Sequence, residues 1–541
     1  MTFLRRRLHW LSRNPATLTQ AVLAVMGLFV LNALWLNSQG TPERWAQHWR
    51  EEQGSNPRES EKDTVAGVLK AQPVDRTALV RLLRRDARRV LATDRTPAGA
   101  LEIEEEEEES EPEDMDRLLT TSKLPEPERA LFLKYHRAMR DRTSETAAAT
   151  AVELAAGTVD GSAALPMTMA GDVLRKGRDF PGALAWYEKA GALPDGVEAR
   201  RQALELALIR EWPDVVERLM GVEGYRAALE SVDDDLAMRV AQCTRDMGAL
   251  LTISFSHIRE GLRHPGLVLI SLLTAAVWFV SLHKGCRIPL RDWWISLLGV
   301  VLGVGSIVIT LFLLLLQESR GGLTQNGLAG NDFVFYIAGV GLREEVAKLM
   351  AFLPLLPLLR KRTPGLALVS ASCVGLGFAL EENLNYYQSG GVTAALGRFV
   401  TANFIHLALT GLLGWALFRF LRYPKNYGSP FLAVFAAVVA LHGLYDFCLS
   451  GYSQEAANLP IWILAGLAWF YFQTVRTEQG TAPQVVSAHS VFLLGSTVLL
   501  GCLLNYLVAG FGWQISFIML GPALLSVVLL NAMFVWFLRE L

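Results

Sequence analysis

The sequence predicts an all-α polytopic membrane protein: a transmembrane bundle of about ten helices, joined to a helical domain outside the cytoplasm. Three observations carry that expectation. The first is an uneven distribution of charge. Over all 541 residues, 51% are hydrophobic and 19% charged, with a formal net charge of -2. The first 264 residues, however, hold 36 Lys+Arg and 42 Asp+Glu, which leaves 15 and 11 for the other 277. A segment so poor in charge cannot clothe a globule in water-compatible surface, so its solvent is the bilayer. The second observation is a series of ten apolar stretches, each near the roughly 20 residues needed to cross about 30 Å of hydrocarbon. They run over 16–36, 266–282, 293–316, 333–359, 365–387, 399–421, 430–450, 459–475, 491–509 and 515–537.

The third is the Lys/Arg bias of the short loops. With the N-terminus inside, fifteen basic residues fall on the cytoplasmic side (Arg5, Arg6, Arg7, Arg13, Lys284, Arg287, Arg291, Arg360, Lys361, Arg362, Arg419, Arg422, Lys425, Arg476 and Arg539). The outer short loops hold two, Arg320 and Arg398. The positive-inside rule then puts both termini in the cytoplasm and residues 38–264 outside it. A purely soluble protein is excluded. A near-neutral chain without a basic stripe gives no footprint for nucleic acid. Cys243, Cys286, Cys373, Cys448 and Cys502 are too scattered for a disulfide framework or a metal clip.

Residues 1–37 read as a basic cytoplasmic N-terminus and a retained signal anchor, since the apolar stretch is longer than a cleaved signal's core. The external region follows. RLLRRDARR, from Arg81 to Arg89, reads as an amphipathic helix, and ten of the thirteen residues over 102–114 are acidic, as in a solvated linker. Residues 116–248 turn helical and Ala/Leu-rich. RDFPGALAWYEKA from Arg178 and REWPDVVERLM from Arg210 align at an offset of 32 residues. That is close to the 34-residue period of tetratricopeptide arrays, and both a tetratricopeptide-like array and an ordinary helical domain remain open. Either is a docking module, because the region contains no catalytic constellation.

Ionisable residues within the spans carry the functional signal, because a charge near the bilayer centre costs about 2.5–3.5 kcal/mol on insertion scales. Arg343, Glu344, Glu345 and Lys348 fall in the fourth span, Glu381 and Glu382 in the fifth, His406 in the sixth, His442 and Asp446 in the seventh. At about 1.5 Å rise per residue, Asp446, Glu382, His406, His442 and Glu345 lie roughly 6, 8, 10, 12 and 18 Å from the outer helix ends, all in the outer half. Glu344 and Lys348 are i,i+4, as are His442 and Asp446, so each pair shares a helix face. Gly411 and Gly414 in the sixth span open it to close approach by a neighbour. Glu381 points about 100° away from Glu382, and Arg343 either braces the carboxylates or meets a lipid head group.

GLREEVAKLMAFLP (Gly341 to Pro354) contains E-E-x-x-K, GLGFALEEN (Gly375 to Asn383) contains F-x-x-x-E-N, and LHGLYDF (Leu441 to Phe447) contains H-x-x-x-D. With His406 between them, these motifs resemble the PrsW family of membrane proteases, relatives of the CAAX-prenyl endopeptidase superfamily, over about 330–450. On that resemblance residues 265–455 are the protease core and 456–541 add three spans. The resemblance implies glutamate-dependent hydrolysis of a membrane-anchored protein near the outer face, a single-pass anti-sigma factor being one candidate substrate. In that reading Glu344 is the general base on water and Glu345 orients the pair beside Lys348. His406 and His442 donate to the oxyanion or the leaving nitrogen, Asp446 orients His442, and Glu382 completes the network. No cofactor is preferred. Zinc stays open, since His406, His442 and a carboxylate of Glu344, Glu382 or Asp446 would make a three-ligand site, although H-E-x-x-H is absent. The alternative from another class is a non-proteolytic scaffold or an ion- or proton-coupled transporter that uses the same charges as a lock or relay.

Overall fold

A computed structural model describes residues 3–38, 65–71, 73–93, 115–141, 146–230, 234–263, 265–318, 323, 329–397, 401–450 and 459–538. The acidic run at 102–114 and the loop residues Arg320 and Arg398 lie outside them. Among the described residues the protein is helical, with a bridge pair between Val159 and Ser162. The chain divides into a membrane unit, Met1–Gly54 with Ser254–Leu541, and a second unit, Ser55–Ile253.

The membrane unit opens with α1 (Phe3–Leu11) and the anchor α2 (Pro15–Ser38). The second unit contains α3 (Val65–Lys70), α4 (Arg76–Thr93), α5 (Met115–Thr121), α6 (Glu126–Arg140), α7 (Ala147–Ala155), α8 (Ala164–Lys176), α9 (Phe180–Gly191), α10 (Val197–Ile209), α11 (Pro213–Met220), α12 (Tyr225–Glu230) and α13 (Asp234–Cys243). Helix α14 (Met247–Gly261) runs into the membrane unit, which continues with α15 (Pro265–Gly285), α16 (Trp293–Glu318), α17 (Ala329–Val334), α18 (Leu342–Phe352), α19 (Leu356–Leu359), α20 (Pro364–Gly397), α21 (Asn403–Arg422), α22 (Pro424–Leu449), α23 (Leu459–Thr477) and α24 (Ala488–Leu538).

Eight described helical segments are long and apolar enough to cross a bilayer. α24 supplies two of them, because Gly512 (φ 73°, ψ 174°) breaks it. α23 and the expected span at 333–359 are not among the eight. The latter is broken into α17, a π-helical turn at Phe335–Gly341, α18, a 3-10 turn at Leu353–Leu355 and α19. Pro354 and Pro357 each remove a backbone donor there.

At the centre lie α20 and α21, the most buried spans. Small residues allow their approach, as expected for Gly411 and Gly414. A Cβ on Gly375 would lie 2.3 Å from the His406 carbonyl oxygen, one on Gly411 2.1 Å from Ser372 Oγ, and one on Gly414 2.3 Å from Ala371 Cβ. On the other flank of α20, a Cβ on Gly377 would meet the Val300 carbonyl oxygen of α16 at 2.1 Å. These contacts match the way membrane helices gain packing when lipid offers no hydrophobic gradient. The anchor α2 packs instead on the first arm of α24, where Asn37 accepts from the Trp513 backbone N–H at 3.0 Å. At the opposite end of the anchor, Ser487 donates to the Ser12 carbonyl at 2.6 Å.

The second unit has its own core, which includes Phe132, Tyr135, Tyr187 and Leu204. Three helices in it end on the same turn. Arg178, Glu211 and Arg245 hold left-handed φ of 67°, 56° and 56°. The next residue's N–H then bonds back to Leu174, Ala207 and Ala241 at 3.0, 2.9 and 2.9 Å, the Schellman arrangement. The turns recur at 33 and 34 residues. The 32-residue alignment of Pro181 on Pro213 is therefore one residue off: Trp212 occupies the N-cap position that Asp179 holds one turn earlier.

Arg84 of the Arg-rich helix is buried rather than solvated. Its guanidinium donates to Asp172 at 2.7 and 3.0 Å and to Glu198 at 2.9 Å, while Tyr135 and Tyr187 hydroxyls donate to Asp172 at 2.8 and 2.7 Å. Burial opposes the charge on Arg84, but Asp172, Tyr135 and Glu198 outweigh it and hold its pKa well above the usual value. Every lone pair direction at Asp172 that matters is met, as a buried carboxylate requires.

Candidate active site

Each helix around the site contributes a pair of side chains one turn apart, and α18 adds Glu345 to its pair. α18 supplies Glu344 and Lys348, α20 Phe378 and Glu382, α21 His406 and Thr410, α22 His442 and Asp446. The i,i+4 spacing puts each pair on one helix face, and the glycine contacts bring those faces together.

Lys348 is the hub. Fully buried, its ammonium donates to Glu345 Oε1 at 2.9 Å, to Glu344 Oε2 at 3.3 Å and to His406 Nδ1 at 2.9 Å, and lies 4.0 Å over the Phe378 ring. Because the ammonium only donates, His406 Nδ1 must accept, which leaves the proton of the neutral ring on Nε2. That nitrogen sits 2.7 Å from Glu382 Oε2. Glu345 accepts from three sides: Lys348, the Thr410 hydroxyl at 3.3 Å, and His442 Nδ1 at 2.8 Å. With Nδ1 committed, His442 turns Nε2 toward Glu344 Oε2 and Asp446 Oδ2, 3.5 Å from each. The two imidazoles meet edge to face with centroids 5.2 Å apart.

Solvent access divides the cluster. Lys348 and Glu345 have no exposed side-chain surface and His442 has 1%, whereas Glu344, Glu382 and Asp446 retain 12%, 19% and 27%. A sealed floor of paired charge thus underlies three partly open carboxylates. Desolvated ions persist only when paired and hydrogen-bonded in this way.

All seven residues expected at the site meet here. Glu381, as expected, is engaged elsewhere, with Asn385. Arg343 bonds Gln317 of α16 at 3.4 Å, and Gln317 in turn donates to the Ala338 carbonyl of the π turn. Sequence reading passed over Thr410, which its i,i+4 spacing from His406 marks. It held Phe378 within the F-x-x-x-E-N motif but gave it no role, and it passed over the glycines that seat the π turn. A Cβ on Gly443 would lie 2.4 Å from Ile337 Cα, and one on Gly341 2.7 Å from the Val439 carbonyl oxygen. π-helical turns concentrate at functional sites, and this one immediately precedes Glu344.

Glu344, His406 and His442 also present donor atoms all within 4.8 Å of one another. One carboxylate and two imidazoles suit zinc in type and number. Two of the three, however, already hold the Lys348 ammonium.

A helical membrane bundle with a paired acid, histidine and lysine cluster between its central spans defines an integral membrane protein with an intramembrane polar site. Residues 291–474 match the family described as PrsW family intramembrane metalloprotease. Among curated proteins, Protease PrsW of Shouchella clausii (strain KSM-K16) is 31% identical over 109 residues, 19% of this chain and 50% of the relative. The chain thus spans about half the length of the curated relative it matches. No solved structure matches it.

Proposed function

We propose that the protein is an intramembrane endopeptidase that hydrolyses a membrane-anchored protein near the outer face of a bacterial inner membrane. The loop charges support ten crossings with both termini cytoplasmic. The observation that carries the reading is the division of the cluster into a sealed, charge-paired floor and three accessible carboxylates supplied by three different helices. Peptide hydrolysis needs a base for water, a donor for the oxyanion and a proton for the leaving nitrogen, and a lock or relay has no need of that asymmetry.

Glu344 is the base. It is the more exposed member of the glutamate pair, and it lies 3.3 Å from the Lys348 ammonium without being sealed by it. Glu345 holds His442 by Nδ1, so that Nε2 faces Glu344 and Asp446. A proton taken from water by Glu344 thereby has an imidazole beside it for delivery to the leaving nitrogen. His406 presents an Nε2–H toward Glu382 as the second donor. Asp446 steadies His442 from one turn away.

The family description raises a metal. Glu344, His406 and His442 would hold a divalent ion, which supplies Lewis acidity and lowers the pKa of bound water. An ion held there would displace the Lys348 ammonium from Glu344 and from His406 Nδ1, or would take His406 Nε2 only after the ring changed tautomer, so the reading rests on Glu344 rather than on an ion. Co-expression with a single-pass substrate, an anti-sigma factor first, tests it. Wild type cleaves and Glu344→Gln and His442→Ala do not. Unchanged cleavage by both well-expressed variants makes the assignment wrong.

A further inference from the structure

Among the described residues the second unit carries two open grooves; the charged side chains of one are engaged within the fold, whereas in the other Glu188 pairs with Arg218 but two carboxylates at the edge are not engaged. The larger, about 580 Å³, is bordered by Lys134, Arg137 and Lys176. Its cations serve the unit's own fold: Lys176 donates to the Ala138 and Asp141 carbonyls at the end of α6, Lys134 pairs with Glu153, and Arg137 pairs with Asp116.

The other, about 540 Å³, runs between the start of α11 and the face of α9. Pro181, Leu184, Trp212 and Val215 form its apolar walls, and Glu211 and Asp214 stand at its edge. Both carboxylates are exposed, and among the described residues neither makes an ion pair or hydrogen bond through its side chain. The left-handed backbone at Glu211, shared with the equivalent positions Arg178 and Arg245, fixes where that carboxylate projects. At those two other turns the residue in this place is a cation, so the repeat itself is indifferent to its sign and the acidic choice belongs to the groove. Elsewhere in the unit, aromatic faces are covered by cations: Arg210 lies 4.3 Å over Phe180 and Lys189 4.6 Å over Trp186. No described cation covers Trp212.

We propose that this groove binds a segment of a partner polypeptide in which an apolar side chain is bordered by arginine or lysine. The apolar side chain enters between Leu184 and Trp212, and the cation meets Glu211 and Asp214 at the rim. Apolar burial against an aromatic gives the affinity, while opposite charge selects the partner and speeds encounter. This does not depend on hydrolysis, because binding is read without turnover.

The test uses the full chain in detergent with fluorescein-labelled peptides: leucine–arginine, leucine–glutamate and glycine–arginine. Anisotropy is expected to show binding of the first only, weakened by salt. Glu211→Lys with Asp214→Lys, and separately Trp212→Ala, each weaken it about tenfold or more, as for central interface anchors. The charge pair is on the surface, so its variant keeps the wild-type unfolding temperature, and Glu211→Gln with Asp214→Asn gives an intermediate loss. Equal binding of the leucine–glutamate peptide, or wild-type affinity in the charge-reversed variant, overturns the proposal.

Discussion

His442 donates through Nδ1 to Glu345 Oε1 at 2.8 Å, across 97 residues of sequence and between two different helices. That bond fixes which edge of the imidazole faces the accessible carboxylates. Glu345→Gln keeps the size of the side chain but weakens its hold on both His442 and Lys348, so it lowers kcat and unfolding temperature together. Glu344→Gln removes only the base, so cleavage falls by about 10²–10⁴-fold with little change in unfolding temperature. Measuring the two variants side by side, by cleavage and by thermal unfolding in detergent, separates the roles. Equal effects on both readouts would show that the pair acts as one structural unit.

Lys348→Met leaves Glu345 buried beside a group that cannot pair with it. Breaking one side of a buried ion pair costs about 3–5 kcal/mol. The expected result is a large drop in unfolding temperature in detergent, and the size of that drop relative to Glu345→Gln measures how much of the floor depends on the ammonium.

Treatment of purified wild-type protein with a chelator is expected to leave cleavage intact, because Lys348 already occupies two of the three candidate metal donors. Loss of cleavage that added zinc restores would reassign Glu344 from base to ligand.

Gly443→Ala puts a methyl group 2.4 Å from the Ile337 backbone, where no flexible side chain can yield. Overpacking of this kind costs about 1–3 kcal/mol. It also shifts the turn that aims Glu344, so cleavage is expected to fall further than stability does. The same substitution at Gly27, where a Cβ meets nothing within 4 Å, serves as the control.

The second unit is expected to lose stability in acid. Burial pushes the Glu198 carboxyl up, but Arg84 and Arg81 outweigh it and hold the pKa below the usual 4.5. A lowered folded-state pKa contributes stability that is complete above the unfolded value and is lost as pH falls through the folded one. Hydrogen exchange of peptides from 147–230 is expected to stay slow near neutrality and to quicken below about pH 4.5. Glu198→Gln flattens that profile.

Local pattern made much of this protein legible in the sequence. Apolar runs placed the long helices, and one-turn spacing put Glu344 with Lys348 and His442 with Asp446. Insertion cost singled out nine residues, and seven of them meet; Arg343 and Glu381 are engaged elsewhere. What stayed hidden depends on groups far apart in the chain. The π turn exists because Gly443 and Gly341 let two backbones touch, which no periodicity records. The Arg-rich stretch reads as an amphipathic helix, but nothing local marks Arg84 as its buried charge, because its partners Asp172 and Glu198 arrive from later helices. The turn register of 33 was obscured by two prolines that align at 32 but sit at different helical positions.

The spacing of the E-E-x-x-K motif has a consequence for biogenesis. Lys348 reaches Glu344 and Glu345 from within the same short helix, so most of the charge on that segment is offset before α21 and α22 have been synthesised. A stretch with two glutamates can then leave the translocon as a nearly neutral unit. His406 and His442 join a preformed ion pair, and the order of the motifs along the chain becomes an order of assembly.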